Sequence, residues 1–248
     1  MRKSDAIVNT IIEQLSELGL PIMASTFEAS CKTKDIQTKD TVTFLSEIVS
    51  AEYEHKMSER YASRLKRAHL TGGPQDISKC VDSKERKYIP SGVTKDLATL
   101  DFIKDGLNLC ILGPSDSGKS YLARALGILA CTNSKVAYYH CEQFVESMVA
   151  LKETNYEKYQ RKITYHSKID LLILDDFLLH TITDEREIKV LFEILEKRSE
   201  LSKSTVVCSQ REPKSWKSMI LNDEVSSNAI MKRATKHYTV LIEPSSKK

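Results

Sequence analysis

Apolar residues recur at helical spacing through the first seventy positions. Gly19 and Pro21 interrupt the first such run, and a second helix is expected over 22–29. A longer helical pattern covers 41–70 and continues into a charged stretch. The first helix is predicted from apolar residues three or four positions apart: Ile7, Ile11, Ile12, Leu15 and Leu18. Residues 1–70 are therefore predicted to form a small all-helical N-terminal domain.

Short apolar runs alternate with amphipathic stretches from residue 96 to 248. Such alternation is typical of an α/β fold with a parallel sheet covered by helices on both faces. Residues 71–95, which hold two Gly/Pro clusters, are expected to connect this domain to the first. Five strands are predicted, at 107–112, 136–140, 170–175, 205–209 and 238–242. The predicted helices cover 121–130, 142–151, 156–166 and 184–201, with others around Trp216 and Ile230.

A glycine-bearing loop separates the first of these strands from the following helix. Residues 113–120 match the phosphate-binding pattern G-x-x-x-x-G-K-[ST]. A strand-to-helix turn leaves backbone N–H groups that, with the helix dipole, form an anion site. Lys119 would reach the β- and γ-phosphates of a nucleotide, and the Ser120 hydroxyl would bind Mg²⁺. ATP and Mg²⁺ are thus the expected ligands, held by Gly113, Pro114, Ser115, Asp116, Ser117, Gly118, Lys119, Ser120 and Tyr121.

A second motif resembles the Walker B arrangement. The apolar run 170–174 ends in Asp175 and Asp176. In nucleotide-hydrolysing P-loop proteins, such a carboxylate helps to hold Mg²⁺. Asp175 is therefore the candidate metal ligand beside Ser120, and Asp176 is the candidate for polarising the attacking water.

Composition limits the setting of this chemistry. The chain has 248 residues and a formal net charge of only +3, so a nucleic-acid partner must be argued from local clusters. Its six cysteines include no C-x-x-C pair, and Cys110 and Cys208 fall in apolar strands, which indicates reduced core thiols and a cytoplasmic protein. Neither a signal peptide nor an apolar run long enough to span a membrane is recognisable.

Two basic clusters are candidate DNA-binding surfaces. In the first, basic residues recur at i, i+4, i+8 and i+11 and so share one helix face. Acidic residues interleave with both clusters, so two solvated helix faces remain an alternative. Contacts of Lys and Arg with phosphates would be largely independent of sequence. The clusters comprise Lys56, Arg60, Arg64, Lys66 and Arg67, and then Lys152, Lys158, Arg161, Lys162 and Lys168.

The ordered set of motifs resembles the IstB-like transposition helper ATPases, which are AAA+ proteins related to the DnaC helicase loaders. The resemblance covers nearly the whole chain. It includes 15–24 and the charged helix 52–70 in the first domain. In the second domain it includes the P-loop with 121–127, the run 172–177, 205–210 with Trp216, and 229–233.

The resemblance implies further roles. Ser209 and Gln210 match the position where AAA+ proteins place a polar sensor near the γ-phosphate. Arg233 matches the arginine finger that completes the site of a neighbouring subunit. With Lys119 and Asp176, these residues form the expected catalytic set. Family members bind duplex DNA as ATP-driven homo-oligomers and assist a partner transposase, and the same is expected here.

Three positions depart from the family pattern. Asp116 stands where the family usually has glycine, although Asp tolerates left-handed backbone conformations. Asp176 stands where many AAA+ proteins have glutamate, and Lys232 precedes the finger where aspartate is frequent. The alternatives to a transposition helper are a DnaC-like helicase loader, a P-loop kinase for a small metabolite, and a nucleotide-dependent scaffold that hardly hydrolyses ATP.

Overall fold

The computed structural model describes residues 3–33, 39–73, 75–220 and 224–244. They fall into two units, Met1–Ser63 and Arg64–Lys248. The helices are α1 (Lys3–Glu17), α2 (Pro21–Thr33), α3 (Thr41–Arg67), α4 (Val93–Ala98), α5 (Asp101–Lys104), α6 (Lys119–Ala130), α7 (Cys141–Thr154), α8 (Tyr156–Lys168), α9 (Glu185–Glu200), α10 (Trp216–Met219) and α11 (Glu224–Ala234). The strands are β1 (Arg86–Ile89), β2 (Leu109–Leu112), β3 (Val136–His140), β4 (Leu171–Asp175), β5 (Ser204–Ser209) and β6 (Tyr238–Pro244).

The first unit is helical, as the apolar spacing predicts. α1 gives way to α2 at Gly19, whose φ of +72° is a left-handed conformation that glycine adopts without strain. Asp40 caps α3 by accepting hydrogen bonds from two backbone N–H groups of its first turn. Phe44 is buried on α3, with its ring centroid 6.2 Å from that of Phe27 on α2. Buried Glu52 accepts a 2.8 Å bond from the Met23 N–H, which ties α2 to α3.

The second unit is built on one sheet with the strand order β1-β6-β2-β5-β4-β3. The five predicted strands are confirmed, and they run parallel to one another. The sheet has a sixth strand that the sequence did not predict: Arg86–Ile89, within the connector, pairs antiparallel with β6 at the sheet edge. Its pattern was missed because it has only four residues, of which Tyr88 alone is buried.

Helices cover both faces of this sheet, as predicted. On one face, Gly127 of α6 lets that helix approach β4, since a Cβ there would lie 2.8 Å from Cδ1 of Ile173. On the other face, Leu172, Leu174 and Val207 join a buried cluster that includes residues of α7, α8, α9 and α11. All six cysteines are free. Burial raises the pKa of the Cys110 thiol to about 12, which fits the expected reduced core. Within the described residues, no helix has the length and apolar character needed to cross a lipid bilayer.

Candidate nucleotide-binding site

The loop between β2 and α6 adopts a conformation that depends on its glycines. Gly113 has a φ of +153°, and a Cβ there would lie 2.5 Å from the carbonyl oxygen of Ile242 on the neighbouring strand β6. Gly118 has a φ of +99° and is the N-cap of α6, where it carries no side chain over the first N–H groups. Asp116 has a φ of +58°, so it adopts the left-handed conformation that its side chain tolerates better than most.

Lys119 is held inside this loop. Its ammonium donates a 2.7 Å bond to the carbonyl of Pro114, and the residue is buried. Burial lowers the pKa of Lys119, while Cys208 and the carboxylates of Asp175, Asp176 and Asp116 act in the opposite direction. A phosphate bound in the loop would add negative charge beside this ammonium and so favour its charged form.

An open cavity of about 460 Å³ lies above the loop. It brings the P-loop together with Asp176 after β4 and Gln210 after β5, residues that are far apart in the chain. Three observations fit a nucleotide phosphate chain: the side-chain-free glycines, the fixed ammonium of Lys119 and the start of α6. The cavity is lined by Ser115, Asp116, Gly118, Lys119, Ser120, Asp176, Leu179 and Gln210.

The tandem carboxylates at the end of β4 differ in environment. Asp175 is fully buried, and its carboxylate accepts bonds from the Asp176 N–H at 3.0 Å and the Tyr138 hydroxyl at 2.5 Å. Asp176 is half-buried with a φ of +53°, and its Oδ2 lies 3.2 Å from Nδ1 of His140. Carboxylate and hydroxyl oxygens suit Mg²⁺, so Asp175 and Ser120 are the residues that would hold it.

The two candidate sensor residues take different positions. Gln210 lines the cavity, whereas Ser209 is buried and donates a 2.8 Å bond to the carbonyl of Phe177. The Ser209 bond fixes the segment that follows Asp176. Of the two, Gln210 is therefore the one placed to contact a nucleotide in this chain.

Arg233 does not line the cavity of its own chain. Its guanidinium forms an ion pair with Glu196, lies 5.0 Å above the ring of Phe192, and donates a 2.9 Å bond to the carbonyl of Ala229. The residue is partly exposed. An arginine finger acts on a neighbouring subunit, so its position outside this cavity is compatible with that role.

The candidate DNA-binding residues are engaged to different degrees. Arg64 donates to the carbonyls of Cys131 and Thr132 at the end of α6, so its guanidinium is used within its own unit. Lys56 pairs with Glu52, Lys152 with Glu193 and Arg161 with Glu157. The exposed members without an ion pair among the described residues are Arg60, Lys66, Arg67, Lys158, Lys162 and Lys168.

Besides Leu179, which lines the cavity, three residues near the site were not anticipated. Tyr138 and His140 point from β3 toward the two carboxylates of β4. Arg86 lies against the loop, since a Cβ on Gly118 would be 2.6 Å from its Cζ. A strand ending in Tyr and His beside the Walker B strand was a usable signal for the first two, whereas nothing local indicates that β1 reaches the loop.

The fold and the site together define a P-loop nucleotide-binding protein. Among solved structures, the replication initiator DnaA bound to AMPPCP and single-stranded DNA aligns with a TM-score of 0.54 and 20% identity, over 68% of this chain and 50% of that chain. DnaI aligns with a TM-score of 0.53 and 20% identity, over 71% of this chain and 92% of that chain. At these identities the likeness shows the fold alone.

Sequence relatives specify the family. The chain is 28% identical to y4pL of Sinorhizobium fredii, named as an insertion sequence ATP-binding protein, over 87% of this chain and 86% of that protein. It is 27% identical to the ATP-binding protein of insertion sequence IS21 from Pseudomonas aeruginosa, over 80% of this chain and 72% of that protein. The family model described as IstB-like ATP binding protein matches residues 13–246. The chain belongs to this family.

Proposed function

We propose that this chain is a Mg²⁺-dependent ATPase that assembles into a homo-oligomer on duplex DNA and assists a transposase. The observation that carries the proposal is the cavity in which the P-loop, Asp176 and Gln210 meet. An acidic group in the same cavity as the P-loop is suited to orient a water molecule for attack on a phosphate.

Each residue of the site has a separate role in hydrolysis. The N–H groups at the start of α6 and the Lys119 ammonium hold the phosphates. Asp175 and Ser120 hold Mg²⁺, which when bound neutralises charge on the phosphates. Asp176 orients the attacking water and accepts its proton, once its carboxylate is free of His140. Gln210 is placed to contact the terminal phosphate from the end of β5.

Arg233 supplies the link between hydrolysis and assembly. It is partly exposed and outside its own cavity, so in an oligomer it could reach the nucleotide of a neighbour. A finger supplied in trans stabilises charge in the transition state only when subunits are in contact. Hydrolysis would then be slow in the single chain.

DNA and transposase are proposed as partners on two grounds. The exposed basic residues of α3 and those of α8 each offer contacts to phosphates that need no base contacts. The relatives are named for insertion sequences, in which an ATP-binding protein would act beside a transposase.

The test is assembly measured by size-exclusion chromatography with light scattering, with ATP and with or without duplex DNA. The wild-type protein should form large species only with nucleotide, and DNA should enlarge them. Lys119→Ala should remain small because it lacks the ammonium that neutralises the phosphates. Asp176→Asn should assemble and persist longer, because hydrolysis is slowed while Asp175 and Ser120 are retained.

Asp105→Asn, an exposed carboxyl outside the cavity, is the control and should behave as the wild type. A protein that binds ATP but keeps the mass of one chain with and without DNA would contradict the assembly. Parental hydrolysis in Asp176→Asn would contradict the role of that carboxylate.

A further inference from the structure

The proposed metal ligand Asp175 is itself held by another side chain. Its carboxylate is fully buried, and such a charge is stabilised only by hydrogen bonds or a cation. One oxygen, Oδ1, accepts from the Asp176 N–H, and the other, Oδ2, accepts a 2.5 Å bond from the hydroxyl of Tyr138. Tyr138 therefore donates a side-chain hydrogen bond to this carboxylate, and the buried Cys208 thiol is a second side chain in hydrogen-bond contact with Asp175.

Strand register explains how Tyr138 reaches Asp175. β3 and β4 pair with His140 opposite Asp175 and Tyr138 opposite Ile173. Tyr138 and Asp175 are thus diagonal neighbours on one face of the sheet, a separation that an aromatic side chain spans. Tyr138 is only 6% exposed, so its ring has little room to move.

Tyr138 is also fixed from the nucleotide side. The guanidinium of Arg124 lies 4.9 Å from the centre of its ring, and Arg124 belongs to α6, the helix that begins at the P-loop. The Tyr138 hydroxyl is the donor in its bond to Asp175, since an ionised carboxylate only accepts. Arg124, Tyr138 and Asp175 form a continuous contact chain from α6 to the metal ligand.

We propose that Tyr138 is a positioning residue for magnesium: its hydroxyl fixes one oxygen of Asp175 and leaves the remaining lone pairs of the carboxylate for the ion. The proposal rests on the proposed function, since it assumes that Asp175 holds Mg²⁺. Groups that orient a metal ligand in this way typically change metal affinity by about 10- to 100-fold when they are removed.

The experiment compares nucleotide affinity with and without the metal. The Kd of a fluorescent ATP analogue is measured with saturating free Mg²⁺ and in EDTA, and the ratio of the two reports what Mg²⁺ adds. Tyr138→Phe keeps the ring and removes the hydroxyl. It should reduce this ratio by about tenfold, while the Kd in EDTA stays at the wild-type value.

Tyr139→Phe is the matched control, since this neighbour points to the other face of the sheet and packs on Phe144 and His166. It should leave the ratio unchanged. Arg124→Met keeps the Tyr138 hydroxyl but removes the charge above its ring, and should give a smaller reduction than Tyr138→Phe. Thermal unfolding of each variant separates a loss of fold from a loss of metal coupling.

A wild-type ratio in Tyr138→Phe would overturn the proposal, and so would an equal loss of affinity with and without Mg²⁺. If the wild-type protein itself gained no affinity from Mg²⁺, the magnesium site of the proposed function would fail and Tyr138 would lose its role with it. The wild-type ratio therefore distinguishes the two failures.

Discussion

The nucleotide cavity and the basic helix faces hold their charged groups in different ways. Lys119 and Asp175 are both buried. Lys119 donates to the Pro114 carbonyl of its own loop, and Asp175 accepts from Tyr138 on the neighbouring strand β3. On α8, Arg161 is exposed, and its partner Glu157 is one turn away on the same helix. The charges of the nucleotide site are buried and positioned by the fold, whereas those of the helix faces are exposed, and the ion pairs that some of them form are weak and screened by solvent.

This difference predicts two kinds of sensitivity. In the cavity, removal of a single hydroxyl or exchange of a carboxylate should matter even when net charge changes little. On the helix faces, only the number of charges should matter, because phosphate contacts by Lys and Arg are largely interchangeable. The following experiments test where the boundary between these two behaviours lies.

The largest effect is expected from Arg233, if this residue acts on the nucleotide site of a neighbouring subunit. Arg233→Ala should bind ATP but hydrolyse it on the order of a thousandfold more slowly, as in P-loop systems that use a finger. Mixing it with Lys119→Ala should partly restore activity, because some interfaces then combine an intact site with an intact finger. ATP turnover across mixing ratios is the measurement.

Glu196→Gln and Lys232→Ala are the controls for this experiment. Glu196→Gln removes the ion pair of Arg233 but keeps the guanidinium, so it should remain active, and Lys232→Ala changes an exposed neighbour. If Glu196→Gln is as inactive as Arg233→Ala, or if mixing gives no rescue despite shown co-assembly, Arg233 acts within its own fold.

The two faces of α8 allow the comparison within one helix. His166 lies on the inner face, 3% exposed, and burial followed by the charges of Lys162, Arg198 and His69 lowers its pKa to about 4. It is neutral in the folded chain, while the unfolded chain takes up a proton below its ordinary pKa of about 6.5. His166 therefore contributes about 3 kcal/mol to the free energy of unfolding above pH 6.5. This contribution is lost as the pH falls toward 4.

Urea unfolding at pH 7 and at pH 4.5 measures this loss. His166→Gln should have a shallower pH dependence than the wild type, because it lacks the titrating group. His180→Gln changes an exposed histidine and is the control. Its free energy of unfolding should depend on pH as that of the wild type does. Identical slopes in all three proteins would contradict the assignment of a neutral, buried imidazole.

The same contrast explains which features the sequence could predict. The loop at 113–120 and the strand before Asp175 depend on neighbouring residues, so their patterns were readable. The edge strand at 86–89 pairs with β6 about 150 residues later, and no local signal indicates that pairing. The contact of Tyr138 with Asp175 depends on strand register, which periodicity does not specify. Helical spacing placed Arg64 on a basic face, but it could not show the α6 carbonyls to which Arg64 donates.

On the helix faces we expect effects that follow charge alone. Two double variants test this: one changes Arg60 and Arg67 to Glu, and the other changes Lys158 and Lys162 to Glu. Arg64 is left unchanged because it donates to a carbonyl at the end of α6. Each pair should weaken binding to unrelated duplexes about equally, by about tenfold or more at low salt and less at high salt. Fluorescence anisotropy over a salt series gives the affinities and their salt slopes.

The control for these pairs is Lys95→Glu with Lys104→Glu, which changes the net charge by the same amount at exposed positions outside both clusters. It should leave DNA affinity nearly unchanged. An equal loss in this control would mean that overall charge, and not either helix face, governs binding. Strong discrimination among random duplexes would contradict backbone-driven contact.

The smallest effect is expected at Asp116, which belongs to both sides of the comparison, since it is exposed but lies in the loop of the cavity. Its carboxylate should repel the phosphates by about 1 kcal/mol or less because solvent screens it, which is at most about fivefold in affinity.

Asp116→Asn removes the charge and keeps a side chain that tolerates the observed φ of +58°. Asp116→Gly removes the charge and also frees the backbone. Calorimetric titration with ATP should show both variants binding more tightly, and by a similar factor, if charge is the cause. Tighter binding in the Gly variant alone would place the cost in the backbone, and weaker binding in both would mean that the carboxylate assists the nucleotide site.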